Sequence, residues 1–218
     1  MIQRVYERVI ESEVFNDVLI ATDDERIQLE AKRIGAPVVM TAETHPSGTD
    51  RCLEAYQKYA ASSQVIVNVQ GDEPFVDLEM LEDLTDLFLN EKINIATAVR
   101  HFDEEKDLAN PSKVKAVLYN SGRVHSFSRR QSPIPADPEL DKRYYKHIGV
   151  YAFRPETLEK ISALEPSPSE LSEKLEQLRW TDNGYSIHSI LSKAENPAVD
   201  TPADLDEILK WMEANNLS

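Results

Sequence analysis

Three carboxylates stand where loops could offer them to a ligand. Asp72 and Glu73 follow the run Val65-Ile66-Val67-Asn68-Val69-Gln70-Gly71, and Asp200 precedes Thr201-Pro202-Ala203-Asp204. The first run is β-branched and, apart from Asn68, apolar without alternation, which is the pattern of a strand buried on both faces. In open α/β sheets, ligands gather at the carboxyl ends of the strands. Asp72 and Glu73 therefore fall at the mouth of a candidate site. A hard cation such as Mg²⁺ takes one or two carboxylates and completes its shell with phosphate oxygens and water. The same residues also read as a plain turn after a core strand. Asp200 has two readings as well. Thr201 with Asp204 makes a capping-box pattern and Pro202 suits the first helical position. Asp200 is then either a loop residue ahead of a helix through Leu205, Ile208, Leu209 and Met212, or the second carboxylate on one shared metal ion.

The elements that must position these groups follow from periodicity. Ile2, Val5, Tyr6, Val9 and Ile10 recur at helical spacing over residues 2–12. Val18–Ala21 reads as a strand, a helix follows to Ile34 with Gly35 as its C-cap, and Val38–Met40 is a second strand. Thr41–Asp50 is a polar loop in which Thr49 or Asp50 caps the next helix. Leu78, Leu81, Leu84, Leu87 and Phe88 mark a helix ending near Asn90, and Ile95–Val99 is another buried strand. This alternation to residue 100 predicts a parallel sheet covered by helices. Beyond it, Lys115–Tyr119 and Arg123–Ser128 read as a hairpin around Asn120-Ser121-Gly122. Residues 131–143, with Pro133, Pro135 and Pro138, form an irregular excursion. Tyr144–Phe153 is a strand, Pro155 opens a helix, and Ser167-Pro168-Ser169 precedes another that carries Leu171, Leu175, Leu178 and Arg179. Ile187–Leu191 is a last strand.

The 218 residues suffice for one α/β domain with a sizeable core. The formal net charge of −15 argues against broad nucleic-acid or acidic-membrane binding. No apolar run approaches membrane-spanning length and no signal-peptide pattern opens the chain. A single cysteine, Cys52, permits no internal disulfide, so a cytoplasmic protein is expected. There is no His-Glu-x-x-His, Cys-x-x-Cys or Gly-x-Ser-x-Gly, which leaves metalloprotease, redox and serine-hydrolase chemistry without support.

In order along the chain stand VIVNVQGDEP, SGTDR, NPSKVKAV, HSFSRR, HIGVYAF, LEQLR and VDTPADL. Together they resemble the 3-deoxy-manno-octulosonate (Kdo) cytidylyltransferases, the CMP-Kdo synthetases. The resemblance implies a Rossmann-like nucleotidyltransferase: a mainly parallel central sheet, helices on both faces, and a small antiparallel subdomain for sugar binding and dimerisation within about residues 120–185 of a single 1–218 domain. It implies transfer of CMP from CTP to the anomeric hydroxyl of Kdo, with release of pyrophosphate, for lipopolysaccharide synthesis. Asp72 and Asp200 would hold Mg²⁺. Ser47, Gly48, Thr49, Arg51 and Asp72 would bind the nucleotide. Gln70, Arg129, His147, Tyr151, Glu176 and Gln177 would form the sugar pocket. From the residues alone, Ser47–Thr49 is an ordinary helix cap, Arg129 a surface cation, His147 a structural histidine, and Glu176 and Gln177 part of a solvated helical face. A homodimer is implied.

One departure accompanies the resemblance. The family normally opens with a strand and a loop of the type I-P-A-R-x-x-S-[TS]-R-x-x-G-K-P, whereas Met1-Ile2-Gln3-Arg4 resembles the residues just after that loop. The absent strand would lie beside Val65–Gln70, so the sheet should carry a gap or two open edges. Two other readings remain open: a cytidylyltransferase for a related acid sugar such as 8-amino-Kdo, and a catalytically defective homologue that only binds ligand or partner.

Overall fold

The computed structural model describes residues 1–59 and 62–194. Helix α1 (Ile2–Glu11) buries Val5 and Val9, one turn apart on one face. Strand β1 (Ile20–Thr22) leads to α2 (Glu25–Arg33), whose first turn is capped by the Asp24 carboxylate accepting the Arg26 N–H at 2.7 Å. Gly35, at φ 74°, then turns the chain into β2 (Val38–Met40). Next come α3 (Gly48–Tyr59), β3 (Ile66–Asn68), α4 (Leu78–Asp86) and β4 (Ile95–His101). The hairpin is β5 (Lys115–Leu118) and β6 (Val124–Ser128), followed by the long β7 (Tyr145–Phe153). Helices α5 (Pro155–Ser162), α6 (Pro168–Glu173) and α7 (Gln177–Asp182) precede β8 (His188–Leu191).

The main sheet runs β6-β5-β7-β4-β8, and β3 pairs with the C-terminal half of β7. Strands β3, β4 and β5 are each antiparallel to β7, while β8 is parallel to β4. Four strands, β3, β4, β5 and β8, therefore share one direction, and β6 and β7 oppose them. The fold is the expected mixed α/β nucleotidyltransferase architecture, with β7 threaded antiparallel through its middle. One apolar cluster packs α5, Trp180 and the hairpin against one face. A second packs α1 and α4 against the other.

The expected gap is present. Among the described pairings, β1 has only β2 as neighbour and β3 has only β7. In β1, the Ile20 N–H donates to Pro37 O and Thr22 O accepts from Thr41 N–H, both at 2.9 Å, so these groups serve the β2 side. Alternation turns the backbone groups of Ala21 to the other edge. Between β1 and β3 lies a cleft of about 870 Å³, bounded by Ile2 and Tyr6 of α1, Ala21 of β1, Cys52 of α3, and Val67 and Asn68 of β3. Helices bridge it on both faces. Residues Ile2 and Tyr6 of α1 join the β1 cluster while Val5 and Val9 join the α4 cluster, and α3 packs against β1, β2 and β3.

Two expectations change. The helix expected after Ser169 is broken, because Lys174 adopts a left-handed conformation (φ 53°) that ends α6. Glu176 and Gln177 thus start a new helix turned inward, and the solvated-face reading fails: Gln177 is buried. At α3 the cap is Ser47, whose hydroxyl accepts the Asp50 N–H at 3.2 Å, and not Thr49 or Asp50.

Candidate active site

The site is assembled where the start of α3 meets β3, β7 and the α6–α7 break. Ser47 Oγ lies 2.6 Å from Glu176 Oε1, and the Thr49 hydroxyl donates to Glu176 Oε2 at 3.0 Å. Gly48 leaves the space between them open toward β3. A Cβ there would fall 3.4 Å from Gln70 Nε2 and 3.6 Å from Asn68 Nδ2. Gly149 of β7 does the same from the other side, 3.8 Å from Gln70 Cγ. These are ordinary van der Waals distances, so the two glycines line the space around Gln70 without the packing demanding them. The Tyr151 ring sits 5.3 Å from His147 and 5.1 Å from Trp180, and His147 meets Phe127 edge-on at 5.0 Å. Seven residues expected to bind ligand, Ser47, Gly48, Thr49, Gln70, His147, Tyr151 and Glu176, are brought into one contiguous neighbourhood.

Its electrostatics are unusual in detail. Ser47 Oγ is 2.6 Å from both Glu176 Oε1 and Asp50 Oδ2, yet a hydroxyl has one proton. Burial, with Asp50 adding like charge, raises the Glu176 pKa above the ordinary range. A proton on Glu176 would let both contacts be hydrogen bonds. Burial also holds the Tyr151 phenol far above its ordinary pKa, with the Glu176 charge in support. Among the described residues the Tyr151 hydroxyl approaches Thr97 but meets no partner in hydrogen-bonding geometry, and the buried Asn68 Nδ2 meets none either. Unpaired buried polar atoms are costly. Desolvation lowers the His147 pKa to about 3, so its imidazole is neutral at ordinary pH.

Other expected residues are placed differently. Arg51 pairs with Asp23 at 2.8 Å and donates to the Thr41 hydroxyl at 2.5 Å, on the wall of the cleft between β1 and β3. The Arg51 guanidinium lowers the Asp23 pKa. Arg129 spends its guanidinium on backbone carbonyls: Glu173 O at 2.7 Å, Pro111 O at 3.1 Å and Lys174 O at 3.2 Å. It braces the bend that carries Glu176 and has no contact of its own with the cluster among the described hydrogen bonds. Gln177 is buried beside Glu176. Asp72 is half-buried in the turn after β3, where the Glu73 N–H closes onto Gln70 O at 3.2 Å. Asp200 lies outside the described residues, and among those described no group of three His, Cys, Asp or Glu converges for a metal. An Mg²⁺ shell built from one or two carboxylates plus phosphate and water does not need such a group, and Asp72 is the residue of the expected pair that could contribute to one from the described part of the chain. Sequence reasoning missed Asn68 and Thr97. Asn68 carried a signal, as the single polar residue in an apolar strand; Thr97 carried none.

The cytidylyltransferase family profile matches residues 1–190. The 3-deoxy-manno-octulosonate cytidylyltransferase of Cytophaga hutchinsonii is 44% identical over 211 residues, covering 94% of this chain and 84% of the relative. The chain belongs to the 3-deoxy-manno-octulosonate cytidylyltransferase family. The family member of Parabacteroides distasonis is 42% identical over 221 residues, covering 97% and 87%. A solved CMP:2-keto-3-deoxy-manno-octonic acid synthetase complexed with CTP superposes with a TM-score of 0.89 at 35% identity, covering 98% of this chain and 88% of that one. The 4-diphosphocytidyl-2C-methyl-D-erythritol synthase of Anaerococcus prevotii, at TM-score 0.61 and 10% identity, shares the fold. Among the described residues no helix is long and apolar enough to cross a membrane.

Proposed function

We infer that this protein is the cytidylyltransferase that joins CMP from CTP to the anomeric hydroxyl of 3-deoxy-D-manno-octulosonate. The hydroxyl oxygen gives up its proton to solvent and forms a bond to the α-phosphorus, the bond from that phosphorus to the β-phosphate bridge breaks, and pyrophosphate carries away the electron pair. Such a reaction asks the protein for alignment and charge neutralisation more than for covalent help. The observation that carries the assignment to these residues is the meeting of the Ser47-Gly48-Thr49 turn with Glu176 beside Gln70, just past the end of β3 and next to Gly149 of β7. Gln70, His147, Tyr151, Glu176 and Gln177 bind the sugar acid; Ser47, Gly48, Thr49 and Arg51 lie along the nucleotide. Mg²⁺ held by Asp72 and Asp200 would neutralise charge on the CTP phosphates. Arg129 serves the sugar pocket as its brace. The family resemblance supports a homodimer, working in the cytoplasm toward lipopolysaccharide; sedimentation equilibrium tests the dimer.

Purified protein given CTP, Mg²⁺ and Kdo should release pyrophosphate and form CMP-Kdo, and chelation of the metal should stop it. Asp72→Asn should lower kcat by at least about a hundredfold with the fold intact by circular dichroism. Wild-type turnover in that variant removes Asp72 from the mechanism. Tight Kdo and CTP binding with no pyrophosphate would leave a binding protein in place of an enzyme.

A further inference from the structure

Thr97 has a hydroxyl outside the set of expected ligand contacts. It is wholly buried in β4, opposite an irregularity in β7. There Thr97 is in register with Tyr151, and the next residue, Ala98, with Ile148, so Gly149 and Val150 drop out of the ladder to β4. Bulges of this kind re-aim side chains next to functional sites. The hydroxyl lies 2.8 Å from Val150 O, 3.3 Å from Ile148 O and 3.0 Å from His147 Nε2. Two of these three neighbours are carbonyls, which can only accept. The one hydroxyl proton belongs to the shorter contact, Val150 O. The Thr97 oxygen can then meet the imidazole only as an acceptor, so His147 Nε2 must carry the hydrogen. A neutral ring with its hydrogen on Nε2 has a bare lone pair on Nδ1, and no described hydrogen bond reaches that nitrogen.

We propose that Thr97 is a positioning residue: it pins His147 in the Nε2–H tautomer, so that Nδ1 faces the ligand as a hydrogen-bond acceptor and selects a donor hydroxyl of the sugar. The proposal rests on the acid-sugar reading for the identity of that hydroxyl, while the tautomer rests on the protein geometry alone. An imidazolium would abolish the acceptor, and the desolvated ring resists protonation. The same hydroxyl that closes the bulge thereby sets the polarity of the ligand contact. The Phe127 and Tyr151 rings pack against the imidazole, at 5.0 and 5.3 Å between ring centres, and restrict its turning over.

The test uses the intact protein labelled isotopically at histidine and long-range proton–nitrogen correlation. His147, assigned through loss of its signals in His147→Gln, should show one tautomer with hydrogen on Nε2 at neutral pH. An Nδ1–H tautomer or a mixture overturns the proposal. Thr97→Ser keeps the hydroxyl and should keep both tautomer and Kdo affinity. Thr97→Val should give mixed tautomers and weaken Kdo binding about tenfold, with CTP binding changed less than about twofold. Equal losses for both ligands, or loss of Kdo affinity in Thr97→Ser equal to that in Thr97→Val, would make Thr97 merely structural. Should Thr97→Val fail to fold, the spectra of the unchanged protein and of Thr97→Ser still decide. Kdo added to the unchanged protein should shift the Nδ1 resonance while Nε2–H persists. Kdo binding seen by calorimetry without that shift overturns the acceptor role. Absence of any Kdo binding instead overturns the acid-sugar reading and the ligand half of the proposal, and the tautomer is still judged on the free protein.

Discussion

His147 illustrates how burial becomes a pH dependence. Its pKa falls from 6.5 to about 3 on folding, because desolvation disfavours the imidazolium. Between those values the unfolded chain binds a proton that the folded protein refuses. Its contribution to stability is therefore complete above pH 6.5 and is lost as pH falls toward 3. At about 1.4 kcal/mol per pKa unit, the loss reaches at most ~5 kcal/mol. His147→Gln should flatten the acid limb of a urea-denaturation series in that window; an unchanged limb would place the ring in solvent. Cys52 gives a second expectation at this scale. Burial pushes its thiol up to about 12, so thiolate is scarce. Alkylation near neutral pH should run roughly a thousandfold slower in the native protein than in denaturant. A fast native reaction would show that the thiol opens into the cleft it borders.

At the scale of elements, the break between α6 and α7 decides whether Glu176 enters the site. Lys174 holds the left-handed turn at φ 53°, a conformation that costs a side chain about 1 kcal/mol and costs glycine little. Lys174→Gly should raise stability by up to ~1 kcal/mol, read as a higher urea midpoint, and leave Kdo affinity unchanged. Lys174→Val should lower both. The bend has further supports. Glu170 caps α6 within a capping box and takes a bidentate pair from the buried Arg179, at 2.7 and 2.6 Å. Arg179 also donates to Leu164 O at 3.0 Å. The Arg179 hydrogen bonds hold the Glu170 carboxylate below its ordinary pKa. Glu170→Ala leaves a buried guanidinium without its partner and should cost roughly 3 kcal/mol or more in denaturant unfolding. A cost under ~0.5 kcal/mol would mean that the pair is solvated and that packing alone shapes the bend.

For the whole molecule, the divided sheet is the dominant feature. Helices α1 and α3 span a cleft of about 870 Å³ whose two sides are strand edges. Strands β4 and β7 are flanked on both sides and should be the slowest to exchange amide hydrogen. The Ala21 amide, turned to the edge of β1 away from β2, should exchange at least about tenfold faster. Protection of Ala21 equal to that of β4 and β7 would show that the cleft is closed in solution. The apolar lining of the cleft should also bind an environment-sensitive dye to the native protein.

Most of the elements were legible because their signals are local. Helical spacing in α1 and α4, the β-branched run of β3, the turn at Gly122 and the Ser167-Pro168 helix start each depend on residues a few positions apart. The family motifs singled out Ser47 for the nucleotide and Gln70, His147 and Glu176 for the sugar, and the described contacts bring these four close together. Tertiary structure decided what local signals cannot carry. The left-handed Lys174 is not a glycine, so nothing in the run Glu173-Lys174-Leu175 announced a break. The bulge opposite Thr97 depends on the register between β4 and β7, some fifty residues apart in sequence. Whether Arg129 meets a ligand or braces a bend depends on which carbonyls surround its guanidinium. The residues along the chain determined which groups are available; which proton, carbonyl or carboxylate each one meets was settled only when distant segments packed together.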